Sequence, residues 1–161
     1  MPASFKTVGL VGRSQQDGLE PVLDELLALL KARSATILIE DRLAEISPDE
    51  GLPRCSVEQI GEQADLVIVI GGDGSLLGAA RTLARFDIPV LGVNRGRLGF
   101  LTDISPDELH TQVSQVLDGE YSRENRFLLD AHVVRDDKIV GRADALNDVV
   151  VNSGTSAQMI E

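Results

Sequence analysis

Residues 66–86 read LVIVIGGDGSLLGAARTLARF, and the architecture follows from how the three parts of this stretch differ. Leu66–Ile70 is an unbroken apolar run rich in β-branched residues, as suits a strand covered on both faces by helices. Gly71–Ser75 predicts a turn, and Leu76–Phe86 predicts a helix that carries the chain back along the sheet. The turn therefore falls at the carboxyl end of a buried strand, the edge where open α/β sheets bind their ligands.

Working toward the N-terminus, Ser56 is a candidate cap for a short helix running to Ala64. Residues 41–55 hold two prolines, a glycine and several acids, and read as an irregular connection. Thr36–Glu40 (TILIE) reads as a strand. Leu19, Val22, Leu23, Leu26, Leu27 and Leu30 recur at helical spacing and predict a helix over 19–33. Phe5–Val11, ended by Gly12, reads as a buried first strand.

Toward the C-terminus, Pro89–Val93 predicts the next strand and Asn94–Thr102 a glycine-bearing loop. Ser105-Pro106-Asp107-Glu108 opens another helix, with Ser at the cap, Pro at the first helical position and Glu at the third. That helix should end near Gly119. From Arg126 the pattern changes to FLLDAHVV and KIVGRADALNDVVV around Asp136-Asp137-Lys138, the pattern of an antiparallel hairpin. The expected fold is an α/β, doubly wound, mostly parallel sheet domain over residues 1–123, a nucleotide-binding domain carrying GGDG. Residues 124–161 read as the beginning of a β-rich domain that is truncated in mid-pattern at Glu161. Unpaired strands from 126 onward would invite self-association.

Composition narrows the functions. The 161 residues are 43% hydrophobic but only 3% aromatic, with no Trp, so aliphatic side chains do the packing. Fifteen basic against 26 acidic residues give a net charge of −11, which argues against general nucleic-acid binding. A polyanionic ligand would need a local cationic or backbone-amide site, with a metal. Cys55 is the only cysteine, so an internal disulfide is excluded. No signal peptide is visible at the N-terminus, and no apolar run approaches the roughly 20 residues of a membrane span, so neither is expected. A soluble, cytoplasmic protein with no nucleic-acid and no membrane partner is expected.

The chemistry concentrates in the turn. Gly71, Gly72 and Gly74 remove side chains, so the backbone can come close to a bulky ligand. The following helix aims its unpaired N–H groups and positive dipole end at the same point, a site suited to phosphate oxygens. Asp73 stays ionised beside a helix N-terminus and would repel a bare phosphate. It makes sense as a general base for a hydroxyl nucleophile, or as a group holding Mg²⁺ beside phosphates. In the competing structural reading Asp73 is a turn former and Ser75 a helix N-cap. A Walker-type loop is ruled out because no Lys follows these glycines. Gly72, Gly74 and Gly78 mimic a dinucleotide fingerprint, yet they follow the third predicted strand, and the next strand ends at Asn94, not at an acidic ribose anchor.

Two further stretches supply candidates. Gly92–Asp103 (GVNRGRLGFLTD) follows the neighbouring strand. Its Arg95 and Arg97 could bring positive charge, and its Phe100 an apolar face for a base, although each alone fits a solvated or packed role. In Asp144–Val150 (DALNDVV), adjacent polar residues inside a strand-like run are costly unless they bond to something. Asn147 could read a base or ribose and Asp148 could accept from ribose hydroxyls; a bulge or turn at a strand entry is the alternative.

GGDGS, GVNRGRLGFLTD and ALNDVVV, in this order and spacing, together resemble the NAD kinase family, bacterial members most closely, over essentially the whole chain. GGDGS alone is shared in type with phosphofructokinases and with diacylglycerol and sphingosine kinases. The resemblance implies transfer of the γ-phosphate of ATP to the 2′-hydroxyl of the adenosine ribose of NAD, giving NADP. It implies Asp73 as catalytic base, and Gly71, Gly72, Gly74 and Ser75 as the turn holding nucleotide phosphates. It implies that Asp73, Gly74, Phe100, Asn147, Asp148 and Gln158 meet NAD. It also implies ATP (polyphosphate in some members) with a divalent metal, and homodimers or tetramers. Asn152-Ser153-Gly154-Thr155 stands where bacterial relatives commonly show a His-Pro-Gly-Lys-like segment, and Gln158 where relatives often carry a basic residue. The family's second Gly/Thr/Ser-rich motif would lie beyond Glu161, so the chain is expected to be a fragment or a truncated relative. A related GGDG kinase of a lipid or sugar, or a non-catalytic nucleotide-binding or oligomerisation module, are the alternatives.

Overall fold

A computed structural model describes residues 5–12, 18–47, 49–95, 99 and 101–151. Residue contacts divide the chain into two compact units, Met1–Arg123 and Glu124–Glu161.

The first unit is an all-parallel five-stranded sheet. Its elements in chain order are β1 (Thr7–Gly12), α1 (Leu19–Ala32), β2 (Thr36–Glu40), α2 (Asp41–Ala44), β3 (Arg54–Cys55), α3 (Val57–Gln63), β4 (Leu66–Ile70), α4 (Asp73–Leu83), β5 (Val90–Val93) and α5 (Leu109–Leu117). Short 3₁₀ turns cover Ala84–Phe86 and Pro106–Glu108. The strand order is β3-β2-β1-β4-β5, so the chain builds outward from β1, then crosses to its other side. That reversal opens a crevice between the carboxyl ends of β1 and β4, where doubly wound sheets take ligands.

Alternation within the strands builds a core on each face. Leu66, Ile68 and Ile70 join Val8, Leu10, Ile37 and Ile39 beneath α1 and α5. Val67 and Val69 join Val11, Leu38 and Cys55 beneath α3 and α4. Helix α1 buries Leu19, Val22, Leu23, Leu26, Leu27, Leu29 and Leu30. Each such Leu contributes about 1.5–3 kcal/mol on burial, which is why this stripe fixes the helix on the sheet. On the opposite face α3 lies so close to β1 that a Cβ on Gly9 would come within 2.1 Å of Ile60 Cγ2.

Several expectations change at element ends. The stretch 41–55 contains structure: one helical turn in α2, which buries Leu43 and Ala44, and the two residues of β3. Strand β3 exists through its pairing with β2 (Ile39 with Arg54, Glu40 with Cys55), a tertiary cause that leaves no periodicity to read. Helix α4 starts at Asp73 and not at Leu76, because Gly72 in extended conformation serves as its N-cap. At the opening of α5, Ser105 Oγ donates to Glu108 Oε2 (2.9 Å) and makes no capping bond to the backbone. The first turn is consequently 3₁₀, and the α-helix proper begins at Leu109. Its end is as expected: Gly119 follows at φ 89°, the left-handed position that terminates helices. By contrast Ser56 caps α3 fully, accepting from Gln59 N–H while the Gln59 side chain accepts from Ser56 N–H.

The described residues of the second unit hold a hairpin of β6 (Leu129–Arg135) and β7 (Lys138–Ala145). Asp136 and Asp137, at φ 47° and 57°, form a two-residue turn with the positive angles that match strand twist. A register shift falls between Val133 and Val134. Val133, Val134, Ile139 and Val140 are all more than half exposed. Among the described residues no helix is long and apolar enough to cross a membrane.

Candidate functional site

Strand β4 delivers Gly71 to the carboxyl edge at φ 152°, a conformation an L side chain rarely adopts. Its N–H donates to Val93 O (2.9 Å), fastening the turn to the end of β5. Gly72, Asp73, Gly74 and Ser75 then form the start of α4, with Ser75 and Leu76 N–H both donating to Gly72 O. A Cβ placed on Gly72 or Gly74 would meet nothing within 4 Å, and neither residue has a positive φ. Among the described residues nothing requires glycine at these two positions. Open space over first-turn N–H groups that lack intrahelical acceptors leaves room for phosphate oxygens to approach. Ser75 is buried at the third helical position, so it is not the N-cap.

The Asp73 carboxylate is held by the segment after β5. Leu101 N–H donates to Asp73 Oδ1 (3.0 Å). A Cβ on Gly99 would stand 2.2 Å from the same oxygen, so the carboxylate lies against the bare Cα of Gly99. Thr102 Oγ1 accepts from Gly99 N–H (3.2 Å) and from Asn94 Nδ2 (3.1 Å). Both Asn94 and Thr102 are buried.

Next to this turn, a cavity of about 350 Å³ opens over the ends of β1, β2 and β3. Val11, Val69, Cys55, Val57 and Ala79 give it apolar walls, and Ser75 and Gly78 connect it to α4. Its polar rim is Glu40, Asp41, Arg42, Ser56 and Glu58. Glu40 Oε2 accepts from Gly12 N–H (3.0 Å), fixing the corner where β1 ends. A backbone N–H bond, then the Ser56 hydroxyl and the Arg85 charge, hold the Glu58 carboxyl below its ordinary range. Burial, reinforced by Asp41, pushes the Cys55 thiol up, which leaves it neutral and a poor nucleophile at neutral pH. A rim with three acids repels phosphate but suits hydroxyl and amino groups, so this cavity and the α4 N-terminus differ in the ligand parts they attract.

Of the residues singled out in the sequence, Gly71, Gly72, Asp73, Gly74 and Ser75 come together at one point, with Gly99 and Leu101 beside them. Arg95 is exposed on the loop after β5. Asn147 and Asp148 belong to the second unit and lie just past β7, Asn147 in a bend and Asp148 directly after it. There both are exposed, and Asn147 Nδ2 donates to Asp148 Oδ1 (3.1 Å). Arg97, Phe100 and Gln158 lie outside the described residues. Sequence reasoning missed the roles of Gly99 and Thr102 and the cavity rim at Glu40 and Ser56. The rim had a weak signal, since acids closing a short strand (Glu40-Asp41) stand at a sheet edge by construction.

Known proteins resemble this chain strongly. A family model described as the ATP-NAD kinase N-terminal domain matches residues 8–121. A protein named NAD kinase from Alcanivorax borkumensis is 53% identical over 157 residues, covering 98% of this chain and 52% of its own length. One of the same name from Pseudomonas fluorescens is also 53% identical, with 98% and 53% covered. The chain thus spans about half the length of the curated relatives it matches. Among solved structures, yeast NADH kinase complexed with NADH superposes with a TM-score of 0.71 at 19% identity. That match covers 89% of this chain and 46% of the yeast chain, and it supports the fold.

Proposed function

The chain belongs to the NAD kinase family through its ATP-NAD kinase N-terminal domain, and from that premise we propose that it serves ATP-dependent phosphorylation of NAD to NADP. The observation that carries the reading is the open space over Gly72 and Gly74, directly beside a carboxylate fixed at the helix start. Donor phosphates approach the N-terminal turn of α4, where backbone N–H groups and the helix dipole favour negative charge. The donor's nucleoside occupies the neighbouring cavity, whose acids and Ser56 match ribose hydroxyls and an exocyclic amine.

Asp73 accepts the proton of the adenosine 2′-hydroxyl of NAD. The 2′-oxygen bonds to the γ-phosphorus as the bond to the β,γ-bridging oxygen breaks, and ADP leaves. Such transfers depend on in-line placement and charge neutralisation, with modest help from one base. The family's divalent metal fits this donor set. No group of three or more His, Cys, Asp or Glu that could hold a metal occurs among the described residues. One carboxylate plus phosphate oxygens is a usual Mg²⁺ environment. Asp73 is the residue that would hold the ion, which when bound neutralises charge on the phosphates. Phe100, Asn147, Asp148 and Gln158 are proposed NAD contacts, and a cytoplasmic homo-oligomer is part of the same reading.

Incubating the protein with NAD and γ-labelled ATP–Mg²⁺ tests the chemistry. Label in the 2′-phosphate of NADP is expected. Label elsewhere on the dinucleotide, or on a sugar or lipid offered in its place, would contradict the assignment.

A further inference from the structure

The segment that holds Asp73 carries two buried polar side chains. Asn94 and Thr102 are only 4% and 5% exposed. A buried amide and hydroxyl are costly unless they bond, and here the bonds close a hoop. Asn94 Nδ2 donates to Thr102 Oγ1, and Gly99 N–H donates to the same oxygen. The ends of the hoop are tied as well: Asn94 N–H donates to Ile104 O (2.8 Å), and Val93 bridges to Ile104. Asp103 and Ile104 N–H both donate to Gly92 O.

Among its described residues the hoop presents to Asp73 the Leu101 N–H, which bonds Oδ1, and the bare Cα of Gly99, on which the carboxylate rests. An ideal Cβ there would stand 2.2 Å from Oδ1, 2.7 Å from Cγ and 2.9 Å from Oδ2. The glycine therefore holds a space that the carboxylate fills. We propose that Asn94 and Thr102 are positioning residues, and that Gly99 with the Leu101 amide forms a seat fixing the Asp73 carboxylate in one orientation. The assignment of that carboxylate as a base rests on the kinase reading; the seat itself does not. A base works only within hydrogen-bond reach of the proton it takes, so a carboxylate free to rotate off the seat would spend less time aligned.

Four variants separate the seat from general stability. Thr102→Val keeps the shape and removes the acceptor that holds the hoop. Thr102→Ser keeps the acceptor. Gly99→Ala leaves the hoop's side chains intact and puts a methyl into the seat, and Asp73→Ala empties it. Amide exchange at Leu101 reads the seat without any turnover. Protection is expected in the wild type and Thr102→Ser, and its loss in Thr102→Val, Gly99→Ala and Asp73→Ala. Protection undisturbed in Thr102→Val and Gly99→Ala would overturn the seat, whether or not NADP forms. Where NADP forms, Thr102→Val and Gly99→Ala should lower kcat by roughly 10²-fold, the cost of about 1 Å of misplacement. KM for NAD should be unchanged, and Thr102→Ser should restore kcat. A rise in KM for NAD with kcat intact would make the hoop a binding feature and overturn its positioning role. A fully active Asp73→Ala would instead remove the kinase reading of Asp73 and leave the seat to the exchange data.

Discussion

Replacing Gly74 by Ala should raise the stability of the free protein and lower its affinity for ATP. At the second position of α4 the added methyl meets nothing within 4 Å, and φ is not positive. Alanine there gains about 0.4–1 kcal/mol, mostly by restricting the unfolded chain. For a protein of this size each kcal/mol moves Tm by about 2–4 °C, so the free variant should melt about 1–4 °C higher. With ligand the sign reverses. The methyl occupies the space through which a phosphate would approach the backbone, and losing one charge-assisted hydrogen bond costs about 1.5–3 kcal/mol. At ATP–Mg²⁺ one hundred times the wild-type Kd, the wild type gains ~2.7 kcal/mol, and a variant weakened ~100-fold gains ~0.4 kcal/mol. The two melting curves should therefore exchange order when ATP–Mg²⁺ is added. Thermal denaturation with and without the nucleotide reads this directly. A variant that melts lower when free would show that the space is not open. One stabilised by ATP as much as the wild type would show that the space is not used by phosphate.

Other perturbations test the frame around the site. Gly9→Ala forces a methyl to within 2.1 Å of Ile60 Cγ2 and should cost about 1–3 kcal/mol. Ile60→Ala should cost about 2–5 kcal/mol, and the double variant less than the sum, because the new methyl enters the vacated space; additive urea midpoints would refute the close approach. Arg33 holds Asp118 below the ordinary carboxylate range, Lys31 and the Gly51 N–H do so for Asp49, and Arg142 does so for Asp130. Depressed carboxyls stabilise above their unfolded pKa of about 3.9 and lose that contribution as pH falls through the folded value. Urea midpoints should hold from neutrality to about pH 5 and drop below about pH 4, and Asp118→Asn should lower the neutral midpoint while flattening the acid drop; an unchanged drop would remove the Arg33–Asp118 pair from the account. The exposed Val133, Val134, Ile139 and Val140 should drive concentration-dependent light scattering that is absent from residues 1–123 alone; equal scattering from both would place the association elsewhere.

Much of the fold was legible because the signals were long or chemically distinct. The leucine stripe of α1, the five-residue runs of β2 and β4, and the Ser56 cap of α3 each specify their element locally. Strand β3 was not legible, since two residues become a strand only when β2 offers them a partner. The start of α4 was misplaced because glycine propensity argued for a turn, whereas the extended Gly72 lets the helix begin at Asp73. That GGDGS carries the chain from the end of β4 into a helix could be read from its setting alone. The seat of Asp73 could not, because Gly99 and Leu101 stand 26 and 28 residues away and meet it only through the parallel pairing of β4 with β5. Asn147 and Asp148 read as part of a strand because apolar residues flank them, yet β7 ends at Ala145.

The most direct test of the central claim is the rate of NADP formation from NAD, ATP and Mg²⁺, measured for this protein and for Asp73→Asn side by side. Loss of the base with the fold intact should lower the rate by about 10²–10⁴-fold. An undiminished rate in Asp73→Asn, or no NADP from the unaltered protein, would contradict the account.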